Sequence, residues 1–412
     1  MERREFLRRA AAGVGAVVAA GSLGGRLGAG EVPAAPPLDR RREQPGMAYT
    51  RLGRTNLQVS RIVHGSLHTN RERIPILARL YEAGVNFYDT SHVYGGGRSE
   101  EALGEFFGRD GRRGNVFIAT KMYLLPELNA GKGVYDRAMA RADEALKRLQ
   151  TDHVDIMMLH GCNTLLDHLD NPEWLRAAED MKKQGKARYI GLSEHAKPAE
   201  VLQKAIACGR YDMAMVAFSF VKGTWPGQGR TDIPSIRPAL EAARKADLGI
   251  VAMKAALRAE EMVAQVDEPK LKAQGHSPYQ LCYRYVLDMP GVDAVVCGMS
   301  NMTHVDENVK VPGIRLSAGQ VRYLERLAAA SRVCGFCGTC LDACPAGIAV
   351  QDILRFHGYW LHGHRAEARA EYAALPAPRR ADACQDCGTC EAACPMRVAI
   401  RRRLREAHHA LA

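Results

Sequence analysis

Four ionisable side chains of this sequence stand at or just beyond the ends of short apolar runs. Asp89, Lys121 and His160 each close such a run, and Tyr94 follows Asp89 by five residues. Runs of this kind are typical of buried parallel strands, whose carboxyl ends meet on one face of a sheet or barrel. An acid, a phenol, an ammonium and an imidazole would then converge, and this set is suited to proton transfer.

The chemistry follows from what each group can do. A free phenol has a pKa of about 10, so Tyr94 can give a proton to a carbonyl near neutral pH only if its phenolate is stabilised. Lys121 would supply the positive charge, and Asp89 would hold Lys121 through an ion pair. Neutral His160 would hydrogen-bond the substrate oxygen and align it. The set therefore predicts an oxidoreductase for a small carbonyl or alcohol, with Tyr94 as general acid and base.

A cysteine motif of the form C-x2-C-x2-C-x3-C-P occurs twice. Its members are Cys334, Cys337, Cys340 and Cys344, followed by Pro345, and Cys384, Cys387, Cys390 and Cys394, followed by Pro395. In bacterial ferredoxins three thiolates of such a run hold one four-iron cluster, and the fourth reaches the other cluster. We therefore predict two [4Fe-4S] clusters, with Cys344 completing the cluster of the second motif.

Other cysteine chemistries remain open at this point. Structural zinc could use pairs of C-x2-C units, and disulfides would suit an exported protein. Neither requires the proline after the last cysteine. Between the motifs, Gln351 to Leu375 is predicted to form one or two amphipathic helices, so the cluster domain should be mainly helical. We expect its histidines, His357, His362 and His364, to lie on a solvated helix surface rather than to bind a metal or haem.

The elements that must position these residues alternate between strand-like and helix-like patterns. Strands are predicted at Arg61 to Gly65, Asn86 to Asp89, Val116 to Lys121, Ile156 to His160, Tyr189 to Ser193, Met213 to Phe218, Gly249 to Lys254 and Ala294 to Gly298. Helix patterns such as Tyr135 to Leu149 and Pro238 to Ala246 lie between them. The 412 residues, 47% of them apolar, suffice for a large core. No G-x-G-x-x-G follows an early strand to indicate an open sheet. We predict the α/β class: a (β/α)8 TIM barrel followed by a small, mainly helical ferredoxin-like domain.

The phrases RLGRTNLQVSRIVHG, GVNFYDTSHVYGGGRSEEALG and ALKRLQTDHVDIMMLH resemble the aldo-keto reductase family. The agreement runs from about Tyr49 to Pro312. The resemblance implies that Asp89, Tyr94, Lys121 and His160 are catalytic. It also implies that the hydride comes from NAD(P)H, because no side chain can supply one. The cysteine motifs point to an iron-sulfur subgroup of that family.

The same resemblance implies a set of dinucleotide contacts, with Phe218 stacking on the nicotinamide ring and Lys254 contacting the pyrophosphate. This set is Ser193, Phe218, Lys254, Ser300, His304 and Asn308. Several positions depart from the family pattern: Glu194 follows Ser193, Met215 replaces a glutamine, and Gly298 and His304 stand where Lys and Arg are common. The choice between NAD and NADP, and whether nicotinamide binds at all, stays open.

The amino-terminal segment has the features of an export signal. Arg3 and Arg4 precede Phe6 and Leu7 and a run rich in Ala and Gly, which resembles a twin-arginine signal. That run is too short and too weakly apolar for a stable membrane span. We predict a signal peptide at 1–35, a linker at 36–46, the barrel at 47–315 and the two-cluster domain at 316–412. The protein is expected to be periplasmic or otherwise exported, with a cytoplasmic protein as the alternative.

The formal net charge of +11 overstates the basicity of the processed protein. Loss of the leader and gain of two clusters would lower it to about +5. Arginines near the carboxyl terminus, Arg401, Arg402, Arg403 and Arg405, could dock an acidic redox protein, and no nucleic-acid motif accompanies them.

Three functions fit these patterns. In the first, the barrel interconverts a carbonyl and an alcohol while the clusters relay electrons to or from a partner. In the second, the protein transfers electrons and its barrel is a non-catalytic scaffold or binding module. In the third, the barrel is active and the clusters only stabilise a small domain. The intact set of four residues favours an active barrel, whereas the altered dinucleotide positions favour the scaffold.

Overall fold

A computed structural model describes residues 37–161, 165–219, 233–256, 276–322, 324, 334, 338–361 and 363–412. The predicted signal peptide, the cluster ligand Cys337 and the inter-motif His362 lie outside these residues. Leu38 to Ala412 form one compact unit.

The predicted barrel is confirmed. Eight parallel strands close on themselves, and each pairs with its neighbours in chain order, the last with the first. The strands are β1 (Asp39–Arg40), β2 (Tyr49–Arg51), β3 (Leu57–Ser60), β4 (Ile62–Gly65), β5 (Phe87–Asp89), β6 (Phe117–Met122), β7 (Val154–His160), β8 (Ala187–Glu194), β9 (Met213–Ala217), β10 (Gly249–Met253) and β11 (Ala294–Gly298). Strands β4 to β11 form the barrel, and β1 to β3 form a separate small sheet.

The barrel interior is a packed core. Side chains alternate across each strand, so that Met213 and Met215 of β9 face inward while Ala214 and Val216 pack against the helices. Leu52, beside the β2–β3 hairpin, joins the inner cluster and contacts Gly249 at the start of β10. The hairpin therefore closes the amino-terminal end of the barrel and leaves the carboxyl ends of the strands as the open face.

Helices cover the outside of the barrel and build the carboxyl-terminal domain. They are α1 (Ile74–Glu82), α2 (Arg98–Phe107), α3 (Leu125–Ala130), α4 (Val134–Leu149), α5 (Pro172–Lys183), α6 (Pro198–Cys208), α7 (Ile233–Lys245), α8 (Pro278–Leu287), α9 (Met302–Asn308), α10 (Thr339–Asp342), α11 (Val350–Leu361), α12 (Arg365–Ala374), α13 (Thr389–Ala393) and α14 (Ile400–Leu411). In α4 the residues Ala138, Ala142 and Leu149 recur at helical spacing and are buried against the barrel. Among the described residues, no helix is both long and apolar enough to cross a membrane.

The carboxyl-terminal domain has its own hydrophobic core, centred on α11, α12 and α14. The inter-motif segment forms two helices, α11 and α12, as the sequence predicted. The two cysteine motifs fold alike: Gly338 (φ 86°) and Gly388 (φ 78°) each precede a short helix in a backbone conformation that favours glycine. The barrel core continues to Leu324, beyond the predicted boundary at 315.

Candidate active site

The four predicted residues meet at the open end of the barrel. Asp89 and His160 are the last residues of β5 and β7, Lys121 lies near the end of β6, and Tyr94 begins the turn after β5. The Lys121 Nζ lies 2.7 Å from Asp89 and 2.9 Å from the Tyr94 hydroxyl, and it donates to the Thr90 carbonyl at 3.0 Å. One buried ammonium therefore contacts both the acid and the phenol.

The charges of this pair are set by burial and by their mutual attraction. Burial opposes the positive charge of Lys121, but Asp89 and Tyr94 outweigh it, so the pKa of Lys121 is raised. Burial also raises the pKa of Asp89, and the attraction of Lys121 counteracts that rise. The result is a charged ammonium, held by a carboxylate, directly beside the Tyr94 oxygen.

His160 is held as a neutral imidazole. Burial, together with the positive charge of Lys121, lowers its pKa well below the ordinary value of 6.5. Its Nδ1 lies 3.3 Å from the Ser91 hydroxyl, which also lies 3.2 Å from the Lys121 carbonyl oxygen. The Tyr94 and His160 rings meet edge to face, with centroids 6.2 Å apart. Ser91 was not among the predicted site residues, although it lies two residues after Asp89 in the same stretch.

A cavity of about 470 Å³ opens above these residues. Asp89, Tyr94 and His160 line one part of it, and Met215 and Met253 line another. The carboxyl-terminal domain completes the wall with Arg355, Tyr359 and His364. No local sequence pattern indicated that the cluster domain would cover the barrel mouth.

His364 departs from its predicted environment. The sequence indicated a solvated helix surface, but only 11% of the His364 side chain is exposed. Its ring stacks on that of His68, which lies in the loop after β4, with centroids 3.9 Å apart. The prediction was wrong because the barrel covers this side of the domain.

Only four of the six predicted dinucleotide-binding residues line the cavity. Lys254, Ser300, His304 and Asn308 line the cavity. Ser193 and Phe218 are fully buried and are not among the lining residues. Phe218 packs in the core between the barrel and its helices, so the structure does not bring it to where a ring could stack on it. The reason is the alternation along β9, which directs even-numbered side chains outward.

Three observations bear on whether these residues fit a dinucleotide. The Oδ1 atom of Asn308 and the Oγ atom of Ser193 are buried without a hydrogen-bond partner in the described part of the chain. Buried polar atoms are normally satisfied, so Asn308, which lines the cavity, can accept a partner from a ligand, whereas Ser193 does not line the cavity. Lys254 adopts a left-handed backbone conformation (φ 61°), which costs about 1–3 kcal/mol and is typical of functional positions. These residues fit a polar cofactor that reaches the cavity.

Glu194, which departs from the family pattern, links two loops through hydrogen bonds to their backbone. One carboxylate oxygen accepts hydrogen bonds from the backbone N–H groups of His195 (2.6 Å) and Ala196 (3.1 Å), and the other accepts one from Leu165 (2.9 Å). The side chain is fully buried. It therefore ties two loops together at the carboxyl end of the barrel.

The cysteines of the two motifs are interleaved. One small pocket is lined by Cys344 of the first motif together with Cys384, Cys387 and Cys390 of the second. A second pocket is lined by Cys334 and Cys340 together with Cys394 of the second motif. Four sulfurs in the first pocket fit one cubane cluster, and the fourth ligand comes from the other motif.

Comparison with known proteins agrees with both parts of this description. The profile of the aldo/keto reductase family matches residues 63–256 and 207–329. The chain belongs to the aldo/keto reductase family. A 4Fe-4S dicluster domain matches residues 327–395, so this family member carries a ferredoxin-type domain at its carboxyl terminus.

The relatives found by sequence comparison are distant, at 26–32% identity. The oxidoreductase YrpG of Bacillus subtilis is 30% identical over 227 residues, which cover 50% of this chain and 65% of YrpG. The aldo-keto reductase str7 of Strobilurus tenacellus is 26% identical over 308 residues, which cover 66% of this chain and 85% of str7. A further Bacillus subtilis oxidoreductase, YqkF, is 32% identical, and the chain spans only 49% of its length.

Solved structures share the barrel. An aldo-keto reductase from Pseudomonas aeruginosa matches with a TM-score of 0.51 at 26% identity, over 66% of this chain and 97% of that one. An aldo-keto reductase from Klebsiella pneumoniae in complex with NADPH matches with a TM-score of 0.54 at 22% identity, over 68% of this chain and 95% of that one. The second likeness shows the fold alone.

Proposed function

We propose that the barrel interconverts a small carbonyl and its alcohol, with Tyr94 as the general acid and base. The observation that carries this proposal is the position of the Lys121 Nζ, 2.9 Å from the Tyr94 hydroxyl and 2.7 Å from Asp89, beside a cavity of about 470 Å³. An ammonium at that distance stabilises the phenolate that remains when the hydroxyl gives up its proton.

The proton moves between Tyr94 and the substrate oxygen. During reduction, the Tyr94 hydroxyl donates to the oxygen as negative charge develops there, and Lys121 stabilises the phenolate that forms. During oxidation, the phenolate accepts the proton of the alcohol. Neutral His160 hydrogen-bonds the same substrate oxygen, so that the oxygen is held facing Tyr94.

The proposed hydride donor is NAD(P)H, and the fit of its site is described above. Reduced nicotinamide supplies the hydride when it is bound. Asn308 would accept a hydrogen bond from one of its donor groups, while Lys254 and His304 would face its phosphates. Ser300 lies beside His304, with its hydroxyl 3.3 Å from the ring Nδ1.

For the carboxyl-terminal domain we propose two [4Fe-4S] clusters that relay electrons to or from a protein partner. The interleaved cysteines support the cluster number, and Arg402 and Arg405, which are exposed on α14, offer a docking surface for an acidic protein. Anaerobically purified protein should contain about eight irons and acid-labile sulfide. Zinc without sulfide would contradict this assignment.

We also propose export by the twin-arginine route, on the basis of the amino-terminal sequence. That route carries folded proteins, which suits clusters that are built before translocation. Replacing Arg3 and Arg4 by Lys should leave the precursor inside the cell. Unchanged fractionation of the variant would reject export.

Activity of a Tyr94→Phe variant tests the proposed reaction. The measurement is reduction of a panel of small carbonyls by NADH and by NADPH, with cluster-loaded protein under anaerobic conditions. Loss of the proton donor should lower kcat by about 10²- to 10⁴-fold. Tyr279→Phe is the matched control, because Tyr279 also lines the cavity but does not contact Lys121 among the described contacts. If Tyr94→Phe keeps full activity, Tyr94 is not the general acid. If the parent protein neither binds nor uses a dinucleotide, the barrel is a scaffold.

A further inference from the structure

A group of two histidines and one glutamate lies where the barrel meets the cluster domain. His68 comes from the loop after β4, and His364 and Glu367 come from the start of α12. Their donor atoms all lie within 4.8 Å of one another. We propose that these three residues bind a divalent transition-metal ion, of the Zn²⁺ or Fe²⁺ class, at the mouth of the active-site cavity.

Two of the three distances among the donors are close to those of a coordination shell, and the third is at most 4.8 Å. His68 Nδ1 lies 3.0 Å from Glu367 Oε2, and His364 Nδ1 lies 3.4 Å from the same oxygen. Metal bonds to imidazole nitrogen and carboxylate oxygen are about 2.0–2.2 Å long, so two ligands of one tetrahedral ion stand about 3.3 Å apart. The three side chains could therefore take up an ion with small adjustments.

A cation at this site would meet charges of both signs. Arg73, which donates to the His68 carbonyl at 2.8 Å, repels it. Glu367 offsets part of that repulsion.

The position of the site indicates what the ion would do. His68 and His364 both line the cavity that contains Tyr94 and His160. Two histidines and a carboxylate with open positions form the donor set of catalytic zinc sites and of non-haem iron sites. An ion held there would offer its remaining positions to an oxygen ligand in the cavity. It would also join the barrel to the cluster domain, because its ligands come from both.

Metal analysis of the full-length, cluster-loaded protein tests this site. The protein is given one equivalent of Zn²⁺ under anaerobic conditions and desalted. Bound zinc is then measured by elemental analysis and by X-ray absorption at the zinc edge. We expect about one zinc per chain, with nitrogen and oxygen ligands near 2.0–2.1 Å and no sulfur.

Variants on both sides of the interface separate this site from adventitious binding. His68→Ala and His364→Ala should each weaken zinc binding at least tenfold, while cluster absorbance and circular dichroism stay unchanged. His357→Ala, a histidine of α11 outside the group, should bind zinc like the parent. Three results would overturn the site: sulfur ligands near 2.3 Å, equal zinc in the His364→Ala variant, or no zinc retained by the parent.

Discussion

In the proposed reaction the two ring nitrogens of His160 have different tasks, and Ser91 lies beside one of them. The Ser91 hydroxyl has one proton, which can go either to the Lys121 carbonyl or to Nδ1 of His160. When it goes to Nδ1, the proton of the neutral ring must sit on Nε2, where it can be donated to the substrate oxygen. In that arrangement Ser91 would act as a positioning residue through His160.

Ser91→Ala should lower kcat about tenfold and leave KM nearly unchanged. The loss corresponds to one hydrogen bond, about 1.4 kcal/mol, that fixes the tautomer needed in the transition state. Steady-state kinetics of the variant, with Ser91→Thr as the control that keeps a hydroxyl, provide the check. A rise in KM at constant kcat would instead mean that Ser91 only shapes the binding site.

At the scale of elements, the short helices α10 and α13 arrange the cysteines so that each motif completes the site of the other. Each helix follows a glycine with positive φ, and each begins between the second and third cysteines of its motif. Thr389 of the second motif donates to the Ala343 carbonyl in the first, at 3.0 Å. The two motifs are therefore joined directly, as well as through shared pockets.

Cys344→Ser should remove the cluster of the second motif while leaving that of the first. Cys344 shares its pocket with Cys384, Cys387 and Cys390, and the loss of one thiolate of four leaves an iron without its ligand. Iron content should fall towards half. In the electron paramagnetic resonance spectrum of the reduced protein, Cys344→Ser and Cys384→Ser should both lack the signal of the second motif's cluster. Cys394→Ser should instead lack the signal of the first motif's cluster. If Cys394→Ser instead loses the same signal as Cys384→Ser, and Cys344→Ser keeps that signal, the ligands do not cross.

At the scale of the molecule, the cluster domain forms part of the cavity wall. Tyr359 of α11 lines the cavity and approaches His68 edge to face, with ring centroids 6.1 Å apart. A substrate bound near Tyr94 would therefore be enclosed by both domains. Substrate binding would then be linked to the ferredoxin-type domain.

Tyr359→Ala should raise KM by about tenfold or more with little change in cluster content. The expected loss follows from apolar area that a substrate no longer buries, at about 1.5–3 kcal/mol for a large side chain. Leu361→Ala is the control, because Leu361 is an exposed residue of the same helix and does not line the cavity. Equal KM values for the two variants would show that substrate does not reach α11.

Buried histidines should make the whole protein sensitive to acid. Burial lowers the pKa of His64 from 6.5 to about 3, so between these values the unfolded chain binds one proton more than the folded chain. The free energy of unfolding then falls as the pH falls, by about 1.4 kcal/mol per pH unit. His64→Gln should flatten this dependence between about pH 5 and pH 6.5, as measured by thermal unfolding.

Asp293 provides a control, because its titration changes the free energy of unfolding with pH in the opposite direction to that of His64. Burial raises its pKa from 3.8 to about 7, so in this range the folded chain binds the extra proton and gains stability as the pH falls. Asp293→Asn removes that gain and should steepen the loss of stability on acidification, while its side chain can still accept the Ile250 N–H bond. Parallel pH profiles for parent and both variants would contradict the assignment of these groups.

Much of this protein could be predicted from local patterns. The strands of the barrel follow from apolar runs, and the placement of Asp89, Lys121 and His160 follows from where those runs end. The cysteine spacing indicated the crossed pockets. These features depend on neighbours in the chain, because strand direction and motif geometry are set within a few residues. Even Phe218 could have been placed from the alternation along β9.

Only the tertiary structure decided how the two halves meet. His68 and His364 are almost 300 residues apart. Their contact depends on the packing of two separate cores, which no periodic pattern encodes. The same holds for Tyr359 in the cavity wall. It also holds for Glu194, which departs from the family pattern and whose hydrogen bonds to backbone N–H groups only the structure shows. The sequence thus determined the elements and their chemistry, whereas their packing determined which side chains share one site.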